Sequence, residues 1–386
     1  MNTEQEVVLT DHIREHAARY FPGLVPGETR VQLMDSQKRP SAMLYRFKVT
    51  DGAEAHSIIV KVPMRNLLKD RANEPAFEKP LLFPKADEEE MHALHYTALV
   101  AIHDYMTGLN RKELGTIRVL DYLPESQAIV MEASSDPKLR DLVFKENRLR
   151  MQLGKSKLLP AFENVGTWLR IYHTMPKKAQ VQVRHAHRED LVKSILKLTD
   201  FLAERLADKS YFDRLALELT RLAQEILSET LPLGLGHGDY ALRNILVNPS
   251  GRVTVLDTFA KWRPPIYEDI GYFLTGLKMT SEQVASYGLV FSQDQLQRYE
   301  EAFLRGYFKQ EPVPYRAIRL YEMLALLDKW SSVLISSYRR SIKLKFVGDM
   351  KSALVSLYFK RSANRLLKQI KREPTTAPSM DPERSY

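Results

Sequence analysis

No cysteine occurs among the 386 residues. That excludes disulfides, thiolate zinc sites and cysteine nucleophiles, and it fits a reducing compartment. No stretch approaches the roughly 20 apolar residues that cross a bilayer. The N-terminal sequence MNTEQEVVLTDHIREH has no apolar core of the signal-peptide kind. The expectation is a cytoplasmic protein, with peripheral attachment at the inner membrane face as the one variation. Repeats at solenoid spacing are absent too. What is present is an ordinary globular balance, 44% hydrophobic and 27% charged. At this length the chain suits two packed lobes better than one core.

The net charge of +9 is unevenly spread. Between Tyr338 and Arg372 stand eleven basic residues and one acid, Asp349. This segment alone accounts for the chain's whole positive excess. A local basic face suits an anionic partner, either a membrane surface or an anionic substrate. Nucleic acid is disfavoured, because no zinc finger, RNP-like strand or helix-turn-helix signature accompanies the charge. The same segment contains the amphipathic pattern MKSALVSLYFKRSANRLLKQIKRE. Its apolar Leu354, Leu357, Phe359, Ala363, Leu366, Leu367 and Ile370 fit packing on a larger helical lobe.

Residues 30–62 read as three strands, RVQLMD, AMLYRFKVT and HSIIVKV, the last two separated by a DGAEA turn. Residues 86–106 read as a helix, with acids in the first turn and apolar residues at helical spacing. TIRVLDYL and QAIVMEA follow as further strands. After Glu132 the pattern turns helical, over 160–174, 187–207, 211–229 and 315–337. Ser292, three residues before Gln295, marks a helix start that runs to about Phe308. The architecture expected is α+β, with lobes over 1–132 and 133–337 and a basic helical segment with a tail over 338–386.

One segment inside the helical part differs: GLGHGDYALRNILVNPSGRVTVLDTFAKW, at 234–262. Ile245–Val247 and Val253–Leu256 are β-like, and Asn248-Pro249-Ser250-Gly251 suits a type I turn. A hairpin places Asn244, before its first strand, and Asp257, after its second, at the same end. The preceding HGDYALR loop adds Asp239 there. One amide and two carboxylates are oxygen donors of the type Mg²⁺ takes. Phosphoryl transfer needs such a cation on the phosphates and a carboxylate that orients the attacking hydroxyl.

His237-Gly238-Asp239, Asn244 five residues after that Asp, and Asp257 beyond a hairpin resemble the catalytic core of the aminoglycoside phosphotransferase and choline kinase group. The resemblance covers about 30–280 and implies the bilobal protein-kinase-like fold, with a small β-rich N-lobe carrying one long helix and a larger helical C-lobe. It implies ATP and Mg²⁺ as cofactors. It makes Asp239 the catalytic base and Asn244 and Asp257 the metal ligands, with His237 a scaffold residue. Lys61, in SIIVKVP, matches the lysine on the nucleotide phosphates. Glu90 matches its acidic partner, with Glu89 the next candidate. Met131 to Ala133, in AIVMEA, match the hinge at the adenine. Asp269, in PPIYEDIGYFL, matches a structural position.

Two departures stand out. Asp257 is followed by Thr258-Phe259 rather than Phe-Gly. The segment matching the phosphate loop, MDSQKRPSAM, has no glycine; Ser36, Lys38, Arg39 or Ser41 would have to assist backbone amides there. Taken singly, several residues have plainer readings. His173 suits a packed core position, and His92, His95 and His103 suit solvated or core roles on one helix. Tyr240 and Arg243 suit either substrate contact or loop bracing, and Trp262 and Arg263 a place in the acceptor pocket. The function expected is transfer of the ATP γ-phosphoryl group to a small-molecule hydroxyl, on a sugar or glycan-type acceptor. A nucleotide-binding pseudokinase and a basic membrane- or nucleic-acid-associated adaptor are the alternatives. Oligomeric state is not legible.

Overall fold

A computed structural model of the protein describes residues 4–25, 27–39, 42–64, 88–148, 156–176, 181–258, 262–341 and 345–373, with side chains at all of these except 88–92, 148 and 336–353. These residues fall into two compact units. The first gathers the described residues up to 64 with 88–136 and 254–257; the second gathers the described residues of 137–253 and those from 258 onward.

The first unit contains helix α1 (Glu4–Tyr20), strands β1 (Arg30–Lys38), β2 (Ala42–Thr50) and β3 (Ala55–Pro63), helix α2 (Glu88–Gly108) and strands β4 (Leu114–Thr116), β5 (Val119–Leu123) and β6 (Ala128–Glu132). Five strands form one antiparallel sheet in the order β1-β2-β3-β6-β5. Alternation along the strands sends Tyr45, Phe47, Val49, Ile58, Val60, Val62, Ala128 and Val130 into one core. Helix α1 covers that core with Leu9, Ile13, Ala17 and Tyr20. Their spacing of three and four residues makes one helical stripe, and each fully buried Leu or Ile contributes about 1.5–3 kcal/mol. This helix is absent from the sequence expectations, although its stripe is there to be read.

Asp121 on β5 ties α1 down. Tyr20 Oη donates to it at 2.7 Å, His12 Nε2 lies 3.1 Å away, and Arg19 pairs with it. Burial pushes the Asp121 carboxyl upward, but the hydrogen bonds from Tyr20, the Tyr122 N–H and His12, with the Arg19 charge, hold it below the usual carboxylate range. The described part of the glycine-free segment is mostly strand. β1 runs on to pair Lys38 with Met43, and the Arg39 N–H donates to the Ala42 carbonyl at 2.8 Å. Ser41 lies outside the described residues.

The second unit contains α3 (Leu139–Arg148), α4 (Leu159–His173), β7 (Gln182–Val183), α5 (Arg188–Leu206), α6 (Lys209–Ile226), β8 (Ile245–Val247), the start of β9 (Val253–Val255), β10 (Trp262–Arg263), α7 (Tyr267–Lys278), α8 (Ser281–Ala285), α9 (Gln293–Phe308), α10 (Tyr315–Ser341) and α11 (Lys345–Arg372). Ser292 caps α9 as expected, its Oγ accepting from the Gln295 N–H at 3.3 Å. Helices α4 and α9 cross at glycines. A Cβ on Gly306 would stand 1.9 Å from the Glu163 carbonyl oxygen, and one on Gly166 would stand 2.0 Å from that of Phe303. Phe162 and Tyr299 stack beside this crossing, with ring centroids 4.3 Å apart.

The apolar face of α11 is buried at Phe359, Ala363, Leu366 and Ile370. Phe359 stacks on Trp330 of α10, centroids 5.6 Å apart. Lys360 pairs with Asp208 at 2.6 Å and Lys371 with Glu218 at 2.8 Å. The packed-helix reading of this segment therefore holds for its described part. Leu354 and Leu357 stay exposed, 42% and 58%, on the side away from that face.

Candidate active site

The loop His237–Asn244 lies wholly in the second unit. Its entry is fixed by backbone bonds from Gly234 to the Pro264 carbonyl and from Gly236 to the Trp262 carbonyl, at 3.1 and 2.9 Å. His237 is fully buried. Gly238 has φ +79°, in the left-handed region that residues with a Cβ disfavour. The turn this makes presents the His237 and Gly238 N–H groups to one buried carboxylate, Asp269 in the first turn of α7, at 2.6 and 3.0 Å. His173 at the end of α4 adds its Nε2 at 3.2 Å, and its Nδ1 meets Tyr307 Oη at 2.7 Å. Burial pushes the Asp269 carboxyl up, but the His173 hydrogen bond and charge, with His237, hold it below the ordinary range. Asp269 is thus the post to which the loop is tied, and His173 is a core histidine that braces the post.

Asp239 follows directly. Asn244 Nδ2 donates to its Oδ2 at 2.8 Å and to its backbone carbonyl at 2.9 Å. Tyr272 Oη, on α7, donates to Oδ1 at 3.1 Å, and Arg243 pairs with the same oxygen. Burial works against the Arg243 charge, yet Asp239 and Tyr272 hold it more firmly protonated than a free guanidinium. Asp239 offers only acceptors, so the Asn244 amide must turn its NH₂ toward it and its Oδ1 away. That oxygen accepts no hydrogen bond among the described residues, as a ligand for a hard cation requires. Tyr240 is buried and donates to the Val165 carbonyl at 2.7 Å, which makes it core and not a substrate contact. Arg243 braces the loop.

After β8 the chain turns at Asn248. The Gly251 N–H donates to the Asn248 carbonyl at 3.0 Å, the bond of the expected turn. β9 then leads into Asp257, which belongs to the first unit.

There Lys61 is the partner of Asp257. On β3, Val60 and Val62 point into the core, and alternation turns Lys61 to the other face. Its Nζ donates to Asp257 Oδ1 at 2.7 Å. His95 of α2 is buried with Nε2 4.0 Å from the same oxygen, an approach the sequence expectations missed. Asp257 has φ +55°, a conformation aspartate tolerates better than most residues. The backbone of Glu90 lies in the first turn of α2, but its side chain lies outside the described residues. Met131 pairs with Ile59, and the Ala133 N–H donates to the Ser57 carbonyl at 2.8 Å. That amide is therefore already engaged. His103 bonds Thr116 at 3.0 Å, and no group of three or more His, Asp or Glu among the described residues is placed to hold a metal. Trp262 and Arg263 form β10, parallel to β7, with Arg184 stacked on the Trp262 ring at 5.5 Å.

Residues 156–318, which contain the Asp239 loop, match the phosphotransferase enzyme family. The match covers less than half of the chain, and its place agrees with the resemblance of the 237–257 motif to the aminoglycoside phosphotransferase and choline kinase group. The chain's fold resembles that of the choline kinase from Cryptosporidium parvum Iowa II, at 12% identity and TM-score 0.50, covering 94% of this chain and 97% of that one. It equally resembles the APH(2")-IIa of a streptomycin–ATP ternary complex, at 12% identity and TM-score 0.50, covering 93% and 99%. Choline kinase LicA from Streptococcus pneumoniae aligns over 95% of this chain and 100% of its own, at 15% identity and TM-score 0.49. No curated protein sequence matches the chain. The fold is that of these kinases, and the stretch 156–318 is phosphotransferase-like in sequence. No helix among the described residues is long and apolar enough to cross a membrane.

Proposed function

We propose that the protein transfers the ATP γ-phosphoryl group to a hydroxyl of a sugar or glycan-type acceptor, with Asp239 as base. The acceptor oxygen bonds to the γ-phosphorus as the bond to the β–γ bridging oxygen breaks. ADP leaves, and the hydroxyl proton passes to the Asp239 carboxylate. An aspartate is an anion at neutral pH, so its work is mainly to orient the hydroxyl. The observation that carries this reading is the double hold of Asn244 Nδ2 on Asp239, at 2.8 and 2.9 Å. It aims the carboxylate and leaves the amide oxygen for a cation. Asn244 and Asp257 are the residues that would hold Mg²⁺, which supplies charge neutralisation on the phosphates. Lys61 aligns the phosphates, and Ser41, Glu90 and the Met131–Ala133 stretch belong to the nucleotide site.

The lean to a sugar over a cationic acceptor rests on charge: the group paired with Asp239 is an arginine. A metabolite-library screen with labelled ATP tests it. Transfer to choline or to a cationic antibiotic, and not to sugars, sinks the acceptor reading. Asp239→Asn should abolish turnover while Mg·ATP binding stays within about threefold; unchanged turnover removes Asp239 from the mechanism. A wild-type chain that binds Mg·ATP and phosphorylates nothing is a pseudokinase.

The basic segment supports an anionic surface as a second partner. Arg361, Arg365, Lys368 and Arg372 are exposed along one stripe of α11, continuous with exposed Leu354 and Leu357. Co-sedimentation with phosphatidylserine vesicles, compared with neutral ones, decides it; equal binding to both refutes it.

A further inference from the structure

The loop between α8 and α9 carries the most exposed large apolar side chain among the described residues. Leu289 is 86% exposed, and Tyr287 and Val290 beside it are exposed as well. The backbone that presents them is firmly held. Gln283 of α8, fully buried, donates from Nε2 to the Gly288 carbonyl at 3.0 Å, and its Oε1 accepts the Phe291 N–H at 2.8 Å. The Gly288 N–H returns to the Gln283 carbonyl at 2.8 Å, and the Val290 N–H donates to Ser286 Oγ at 3.3 Å. A buried amide thus clamps a turn whose tip faces water. The hydrophobic effect favours taking such a tip out of water, and the clamp holds it there.

The loop adjoins α11. Gly288, at φ +92°, lies so close to that helix that a Cβ on it would stand 3.1 Å from the Tyr358 ring. Farther along, Arg365 Nη1 donates to Gln293 Oε1 at the start of α9, at 3.0 Å. Tyr358 and Arg365 share one stripe of α11 with Leu354, Leu357, Arg361, Lys368 and Arg372, roughly 100° wide at about 100° of turn per residue. This stripe lies opposite the buried Phe359, Ala363, Leu366 and Ile370. It is apolar where Leu289 adjoins it and basic toward the end of the helix. Arg361, Arg365, Lys368 and Arg372 have no ion pair among the described residues, whereas Lys360 and Lys371 on its flank are paired with Asp208 and Glu218. Asp294, next to Gln293, is an acid at the border; four cations stand against it.

Resting on the reading of the basic segment as a contact for an anionic surface, we propose that Leu289 and its neighbours in the Tyr287–Val290 loop are a wedge that enters an anionic lipid bilayer while the α11 stripe lies along the headgroups. The two halves of the surface set different demands on a partner. The cations call for a dense array of anions, and the apolar tip calls for a medium that takes it out of water. A bilayer with anionic lipids supplies both at one boundary. A soluble polyanion leaves Leu289 in water, and a second copy of the chain brings the same four cations toward each other.

The test uses the full chain and two kinds of vesicle, phosphatidylcholine alone and phosphatidylcholine mixed with phosphatidylserine. The chain has no cysteine, so Leu289→Cys carries a single environment-sensitive fluorophore at the tip. Its emission should shift to the blue with the mixed vesicles and stay unchanged with the neutral ones. Leu289→Ser should weaken binding to the mixed vesicles at least about tenfold, the effect of one leucine taken out of water, and leave the urea midpoint unchanged, because the side chain is exposed. Salt separates the two halves: it screens the cations, so the binding that persists at high salt in the wild type should be missing in Leu289→Ser. An unshifted fluorophore, or an unchanged vesicle affinity in Leu289→Ser, overturns the wedge and leaves the basic stripe standing. Equal binding of the wild type to both vesicles, or binding to neither, overturns the anionic-surface reading and the inference with it. If Leu289→Ser turns a dimer into a monomer in light scattering and vesicle binding is unchanged, the tip is a contact between copies of the chain and the inference falls.

Discussion

Asp269→Asn is the substitution that most directly probes how the loop is held. The native carboxylate accepts from two backbone N–H groups and from His173, at 2.6, 3.0 and 3.2 Å. Asparagine keeps the volume but has one acceptor oxygen, and its NH₂ must face an N–H that needs an acceptor. A hydrogen bond to a charged group contributes about 1.5–3 kcal/mol, and an unsatisfied buried donor costs about 1–3 kcal/mol. The variant should therefore lose about 3–5 kcal/mol of stability in the second unit. All three tryptophans, Trp168, Trp262 and Trp330, lie in that unit, so fluorescence-detected urea unfolding reads it selectively. Asp239 is two residues from the tie, and a displacement near 1 Å is enough to lower kcat about a hundredfold. Mg·ADP affinity should stay within about twofold, because Lys61 and Asp257 are not touched. There is also a pH signature. The native Asp269 carboxyl is held below its unfolded value, so its stabilisation is complete above about pH 4 and is lost as pH falls through the native value. Asp269→Asn should remove that part of the acid limb. An unchanged urea midpoint together with unchanged kcat refutes the tie.

Other consequences follow from the same contacts. Gly306→Ala forces a Cβ to 1.9 Å from the Glu163 carbonyl oxygen and should cost about 3 kcal/mol or more, read in the same unfolding assay. Phe359→Ala empties a fully buried ring site on Trp330; a loss of about 3–5 kcal/mol is expected, with earlier proteolysis at α11. Lys61→Met removes the cation 2.7 Å from Asp257 and should lower kcat/KM for ATP at least about tenfold; an unchanged value would take Lys61 out of the nucleotide site. Burial first, and the Arg243 charge second, lower the Lys329 amine to about 8. It is charged below that pH and neutral above. The unfolded chain keeps that proton to about pH 10.4, so stability in urea unfolding should rise with pH between the two values, and Lys329→Met should remove that rise.

What the sequence displayed and what it hid divide along the chain's own geometry. The strands 30–62, the Ser292 helix start and the Asn248–Gly251 turn are short-range patterns, and each stands where spacing and turn chemistry put it. The Asp239–Asn244 bond is equally local, five residues apart on one turn. Periodicity, by contrast, says which face of a helix is apolar but not which element it meets. That is why α1 went unread despite its stripe of Leu9, Ile13, Ala17 and Tyr20. For the same reason Tyr272 on Asp239 and His95 near Asp257 carried no signal in sequence. The phosphate segment is of another kind: β-pairing continues to Lys38 and Met43, and Ser41, at the tip between them, lies outside the described residues.

The distribution of charge around Asp239 links these observations to substrate choice. A carboxylate that must take a proton works best if its neighbours orient it without stealing the acceptor's place. Asn244 and Tyr272 orient with neutral groups, while Arg243 braces the loop with a full charge beside the carboxylate. Arg243→Gln separates the two roles of that side chain. If it only braces the loop, the loss should be in kcat, with acceptor KM unchanged and no difference between glucose 6-phosphate and glucose. If it also reads an anion, KM for the phosphorylated acceptor should rise at least about tenfold while that for the neutral one hardly moves. A pure kcat effect would leave Arg243 as a positioning residue only.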